Sequence, residues 1–204
     1  MVNRGVRWAI IGGLCAILVV GLCVFLRPST RALLLKLPVV SPPSQDYRDA
    51  VVRSFKMNHV TDLTFRYIGQ VDNTDSACFY TFLNDGKLYY DEAFLSDDPS
   101  ISPAHQWTVV YGGHNPVRMN WRQPITRIAE SGQTPSGKSY VLEGGFINNP
   151  SINDIEYTFA DGAIQDIPVT HGQKLYTLFK VSANTKDVGV LRIQAYHRTP
   201  IKLE

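Results

Sequence analysis

The residues best suited to chemistry lie in one short stretch of the chain. His105-Gln106-Trp107 opens it, and Gly112-Gly113-His114-Asn115 and Trp121 close it, with strand-forming residues from Thr108 to Tyr111 between. Imidazole and indole on loops offer flat apolar area with polar tips, a common make-up for a patch that binds a protein or a polymer. His105, Trp107, His114 and Trp121 are therefore the candidate binding residues. The competing reading makes the tryptophans a plug in a packing seam. The other histidines, His59, His171 and His197, stand apart. No pair has metal-ligand spacing, so no metal site and no cofactor are expected.

Other polar motifs read as structure. Cys78 lies between Ala77 and Phe79 in a strand-like run and is expected to be a buried apolar thiol. Asp72-Asn73-Thr74-Asp75-Ser76 gathers oxygen ligands but lacks the bend glycine and the further acid of a calcium loop, so Asx turns are expected there. There is no nucleophile elbow, phosphate loop or dinucleotide fingerprint. Any two carboxylates can meet in space, and no spacing singles out a pair for acid–base catalysis. Asn149-Pro150-Ser151 is no glycosylation acceptor, because proline occupies its middle position.

The element that positions all of this is near the N-terminus. The run 8–26, opening at Trp8 and closing at Leu26, carries no charge and has arginines on both sides. As a helix it spans about 28 Å, close to the hydrocarbon thickness of a bilayer. It is longer than the core of a cleaved signal peptide, and no good cleavage site follows it, so an uncleaved signal anchor is expected. Charge on its two flanks is nearly balanced and does not set orientation. The short leader favours the N-terminus inside and the folded part outside. Residues 31–40 form a second apolar stretch, read either as a headgroup-level segment or as helix continuing up to Pro38. Ser41-Pro42-Pro43-Ser44 is a stiff spacer.

Charge excludes one class of partner. The chain holds 20 basic and 18 acidic residues, and five of the basic ones flank the anchor. The folded part is left with a net charge of about −3, which argues against nucleic acid.

Beyond the spacer, apolar residues at Tyr47, Ala50, Val51 and Phe55 have helical spacing, with Ser44 as the cap. Strand signals follow. Leu63, Phe65 and Tyr67 alternate. Cys78, Tyr80 and Phe82 alternate against Phe79 and Leu83, a strand covered on both faces. Asp85-Gly86 is a hairpin turn. The second half is β throughout: a short strand from Ile125 to Ala129, a loop from Ser131 to Lys138, and Tyr140 and Leu142 before Gly144-Gly145. Ile155, Tyr157 and Phe159 then alternate, as do residues of the run holding Phe179, and a β-branched stretch ends at Tyr196. Phe159 and Phe179 are expected in its core. The reading is an N-terminal transmembrane helix at 1–40, a small α+β unit at 41–120 with one helix on an antiparallel sheet, and an immunoglobulin-like β-sandwich at 121–204.

Gly145-Phe146-Ile147, Ile152 to Phe159, Asp161-Gly162, Val169, Gly172 and Ile193 to Tyr196 carry a resemblance. In this order they resemble a layout found in uncharacterised single-pass membrane-anchored proteins of Bacillus-type bacteria with a small C-terminal β-sandwich. His197-Arg198-Thr199-Pro200 departs from that layout, which closes on an Asp and Gly turn. The resemblance spans about 60 residues, mostly turn chemistry. It implies fold and an envelope location and carries no active site.

The expectation is a single-pass protein of the cell membrane that contacts lipid through Trp8 to Leu26. Its folded part is extracytoplasmic and serves as a non-enzymatic module binding a protein or envelope polymer. Two alternatives stand beside it: an envelope hydrolase with a site at the junction of the two β-rich units, and a cytoplasm-facing membrane-bound regulator.

Overall fold

The structure, a computed structural model, describes residues 37–112, 116–120, 122–134 and 136–197. The apolar run 8–26 lies outside them. Among the described residues no helix is long and apolar enough to cross a membrane. From Leu37 onward the chain forms one compact unit, so segments 41–120 and 121–204 share an interior.

The described part is mostly β, with antiparallel sheets and one α-helix. Helix α1 is Gln45–Ser54, capped as its sequence implies: the Ser44 hydroxyl accepts from the Tyr47 N–H at 3.1 Å. Strands β1 (Val60–Gln70), β2 (Asp75–Asn84), β3 (Lys87–Ser96) and β4 (Thr108–Gly112) form the first sheet in chain order, and the two-residue β5 (Val117–Arg118) also pairs with β3. The β2–β3 hairpin turns at Asp85-Gly86, both with positive φ, as the sequence demands. The second sheet has the order β10 (Leu175–Ser182), β7 (Ser139–Ile147), β6 (Ile125–Gln133). The third has the order β11 (Val190–Tyr196), β8 (Asp154–Phe159), β9 (Ile164–Pro168).

These elements stack in layers. Tyr47, Ala50 and Val51 of α1 pack on Phe65, Cys78, Tyr80, Phe82 and Leu95 of the first sheet. The other face of that sheet meets the second. Phe79 and Tyr90 stand edge-on to Phe146 at 6.0 and 5.4 Å between ring centroids, and Phe94 stacks on Tyr140 at 4.6 Å. The far face of the second sheet meets the third around Val141, Ile155, Tyr157, Phe159, Tyr176 and Leu178. The second and third sheets make a six-stranded sandwich.

Two local expectations change, and one position gains a reason. Strand β7 runs through Gly144-Gly145 to Ile147. A Cβ on Gly145 would lie 1.8 Å from the Thr126 carbonyl, so glycine serves close approach between strands, not a turn. Strand β6 continues to Gln133, because Ser131, Gly132 and Gln133 pair with Val141, Tyr140 and Ser139. Phe159 is fully buried in the sandwich, but Phe179 turns the other way. Its ring covers Gly69 and lies 6.0 Å from Tyr67, on the side of the first sheet. Tyr176 and Leu178 take the core positions of β10 instead, and with apolar residues on both faces the alternation alone did not choose between them.

Residues 37–40 are tied to the edge of β1. The Val40 N–H donates to the Phe65 carbonyl at 3.0 Å. Arg66, 4 % exposed, donates to the carbonyls of Leu37 and Pro38 and to the Thr81 hydroxyl at 2.8 Å. Leu37 itself is buried.

The core assignment has a direct check. Phe159→Ala should cost about 3–5 kcal/mol, because it removes a fully buried ring and leaves a cavity. Phe179→Ala should cost clearly less, since that ring is only half-buried. Denaturant unfolding of both variants measures the difference, and equal costs would contradict the orientation of β10.

Candidate functional site

The loop before β4 holds two of the sequence-derived candidates. His105 is exposed at positive φ, with its N–H bonded to the Ser102 carbonyl. Trp107 is half-buried, and its ring stands edge-on to Tyr47 at 4.9 Å. Its backbone N–H donates to the Asp46 carboxylate at 2.7 Å, and its carbonyl accepts from Arg53 at 3.2 Å. Trp107 thus fastens α1 to the start of β4, on the face of the first sheet away from the second. His114 and Trp121 lie outside the described residues. Of the remaining histidines, His59 and His171 are exposed, and the His197 ring meets the Ser151 carbonyl at 2.6 Å.

Polar motifs set aside as turns behave as turns. Asp72 Oδ1 accepts from the N–H groups of Thr74 and Asp75. Cys78 is fully buried, and burial pushes its thiol up to about 12, far from a nucleophile's range. Among the described residues no group of three or more His, Cys, Asp or Glu is placed to hold a metal.

The polar residues that matter lie between the sheets, where sequence spacing does not reach. Arg127 on β6 and Glu143 on β7 form a two-pronged ion pair, Nε and Nη2 each 2.6 Å from a carboxylate oxygen. The Glu143 side chain is 2 % exposed while that of Arg127 is 48 % exposed, so the carboxylate is sealed beneath a guanidinium that still reaches solvent. The two hydrogen bonds that Arg127 donates to Glu143 raise the Arg127 pKa.

Glu92 on β3 lies on the other side of the second sheet. It stands opposite Phe79 in the β2–β3 ladder and is 2 % exposed, and neither carboxylate oxygen has a hydrogen-bond partner. Burial raises its pKa to about 10, with further upward push from Glu130, Glu143 and Asp91 against the pull of Arg127. Glu130 on β6 also has a raised pKa, chiefly through burial. It reaches the same region: a Cβ on Gly112 would lie 2.3 Å from the Glu92 carbonyl and 3.1 Å from Glu130 Oε2. The nearby Tyr140 hydroxyl is buried without a partner. Glu92 is thus a neutral acid closed off from solvent. Asp91, on the helix side, has its pKa raised by burial to about 6 while accepting from Tyr80 and from the Glu92 N–H.

One face remains open. Along β6, Thr126 and Ile128 are buried toward the first sheet, whereas Arg127, Ala129, Ser131 and Gln133 on the opposite face are exposed. On β10 the residues of that same face, Tyr176 and Leu178, are buried under the third sheet. The third sheet therefore covers β7, β10 and the Ile125 end of β6, and leaves the face of β6 from Arg127 to Gln133 uncovered. The resulting trough measures about 470 Å³, with β6 and β7 as floor and Thr185 to Val190 as wall. Ser139 on the floor is 2 % exposed, and its hydroxyl has no partner. A cleft of about 620 Å³ continues past Arg127 toward Ile125 and Ile193.

Comparison with protein-family models, curated proteins and solved structures finds no match to this chain.

Two tests follow from these side chains. The first concerns pH. The folded-state pKa of Glu92 lies far above its unfolded value, so its contribution to stability is complete below about 4.5 and falls as pH rises toward 10. Asp91 works in the same direction, but its window closes near pH 6. Glu92→Gln should therefore gain stability over the parent as pH rises from about 6.5 to 8.5, by up to about 1.4 kcal/mol per pH unit. Melting curves across that range check it, and a flat difference would contradict a buried neutral acid. The second concerns Trp107. Trp107→Ala should destabilise by about 2–3 kcal/mol, below the range for a fully buried tryptophan, by detaching α1 from β4.

Proposed function

We propose that this protein is a membrane-anchored interaction module of the cell envelope, held to lipid through residues 8–26, with its folded part outside the cytoplasm and no catalytic task. The observation that carries the reading is a contrast in access. The strongly perturbed acids Glu92 and Asp91 are sealed inside the fold, whereas an uncovered strand face with a half-exposed arginine is open to a partner. Acid–base catalysis needs its groups within hydrogen-bond reach of a substrate. Binding needs a concave surface with a few fixed polar groups, and the Arg127 trough supplies those. The uncharged run 8–26, the net negative folded part and the resemblance of the C-terminal stretch to single-pass envelope proteins support the same reading.

The hydrolase alternative gains one observation, the meeting of Glu92 and Glu130 where the first and second sheets join. It requires Glu92 to become accessible, and Glu130→Gln should then abolish turnover of envelope polymers.

Topology is testable in whole cells. Ser151 is exposed at a turn, so Ser151→Cys should react with a membrane-impermeant maleimide without permeabilisation. Cys78 should stay silent, because it is fully buried. Labelling of the new cysteine only after permeabilisation would replace this reading with the cytoplasm-facing regulator.

A further inference from the structure

We infer that strand β4 is a pH-governed lid, closed over the acids between the first and second sheets while Glu92 keeps its proton and released when Glu92 loses it. The inference goes beyond the interaction-module reading and does not rest on it.

A cluster of side chains sets the closed state. Glu92 projects from β3 into the layer between the two sheets, and both of its carboxyl oxygens are buried without a hydrogen-bond partner. Glu130 on β6 is the strongest of the charges that act on it. Glu143 on β7 and Arg127 on β6 act from the far face of the second sheet, where they are already joined to each other. The buried hydroxyl of Tyr140 on β7 has no partner either, and it feels both Glu130 and Glu92. Strand β4 brings only Tyr111, and β2 sets Phe79 opposite Glu92 with Asp75 farther along. Tyr90 and Asp91 precede Glu92 on β3 itself, Asp91 on the helix side. Among the described residues no unpaired cation faces Glu92 from these strands, so an ionised Glu92 would stand uncompensated.

The strand that closes this layer is weakly held. β4 has five residues, none of them buried, and it pairs with β3 alone. Its ladder is interrupted at Val110, which has no partner on β3. Gly112 ends it at a φ of 74°, where a Cβ would meet the Glu92 carbonyl at 2.3 Å and Glu130 Oε2 at 3.1 Å. The end of β4 is thus seated on the backbone of one acid and beside the carboxyl of the other. A space of about 440 Å³ separates Val110 and Tyr111 from residues 131–134 at the end of β6. The strand therefore has room to move, and solvent has a route to the acids that leaves the two sheets together. Strand β7, buried at every residue, opens only with the whole fold.

Linkage gives the direction. In the closed state burial holds the Glu92 pKa up at about 10, against an ordinary value of 4.5 once β4 opens. Between those values the closed form binds more protons, so opening becomes more favourable by up to about tenfold per pH unit. Glu130, also shifted upward by burial, works in the same direction. Asp91 drops out above neutrality, because its window closes near pH 6.

The experiment follows amide hydrogen exchange of the full chain in lipid nanodiscs at about pH 6.5, 7.5 and 8.5, corrected for the intrinsic exchange rate at each pH. Protection of residues 108–112 should lie well below that of β7 and fall by about threefold to tenfold per pH unit. In Glu92→Gln, which cannot ionise, that slope should drop to less than about half. Gly112→Ala sets a methyl group against the Glu92 carbonyl, so it should lose β4 protection already at about pH 6.5 while β7 stays protected. Protection of β4 that ignores pH, a slope unchanged in Glu92→Gln, or normal β4 protection in Gly112→Ala would each overturn the inference. Equal protection of β4 and β7 at every pH would overturn it too, leaving Glu92 as a source of global pH dependence only.

Discussion

Strand β7 is the constraint on which the fold depends. All nine of its residues are buried, because it is the middle strand of the middle sheet. Tyr140, Leu142 and Phe146 meet the first sheet, and Val141 and Ile147 meet the third. A strand in this position has no solvent face on which to place polar residues, and any slip in register would exchange the two interiors at once. Gly145 pins that register against β6, where no side chain fits, and Gly144 keeps the strand thin where Phe79 approaches. The aromatic pairs Phe79–Phe146 and Phe94–Tyr140 then join two β-rich halves that would otherwise be separable.

Double coverage also explains the unusual electrostatics. Glu143 sits on β7 and has nowhere to go but between sheets, so it is tolerated only with a bidentate arginine from the neighbouring strand. Removing Arg127 would strand the Glu143 carboxylate in a low-dielectric interior, which costs far more than the intact pair contributes, whereas removing Glu143 would leave a guanidinium that still reaches solvent. Glu92 reaches a similar depth from β3 and finds no cation of its own. It remains neutral, a solution that fails as pH rises. Arg66 is the complementary case: a buried cation satisfied by neutral oxygens, two of them carbonyls of residues 37 and 38. Burial lowers its pKa to about 10, and the chain leading into the domain is fixed in return.

Local chemistry was the legible part of the sequence. The Ser44 cap, the Asp85-Gly86 hairpin, the two-faced burial of β2 and the core trio Ile155, Tyr157 and Phe159 follow from patterns a few residues long. What failed was any feature whose cause is a distant strand. Gly144-Gly145 gave no hint of its role, because what Gly145 meets, the Thr126 carbonyl, lies on another strand. Phe179 and Leu178 were equally good core residues until the first sheet supplied a second interior. Trp107 stood out as a candidate binding residue, and its partners Asp46, Arg53 and Tyr47 are on a helix about 60 residues earlier, beyond any spacing argument. Arg127, Glu143, Glu92 and Glu130 carried no sequence signal at all, since carboxylates and arginines on alternating strands look like solvated faces.

The open face of β6 is informative because the rest of the fold is so thoroughly closed. A sandwich of two three-stranded sheets with aligned edges would cover all three strands of the second sheet. Here the third sheet is displaced toward β10, so the face of β6 that carries Arg127 remains in water although the opposite face is packed. Keeping the guanidinium half-exposed above a sealed Glu143 forgoes the apolar burial that a large side chain at Ala129 or Ser131 would supply. Small and polar residues at both positions keep that space empty, so the trough is a built feature of the second sheet and not a gap left by poor packing.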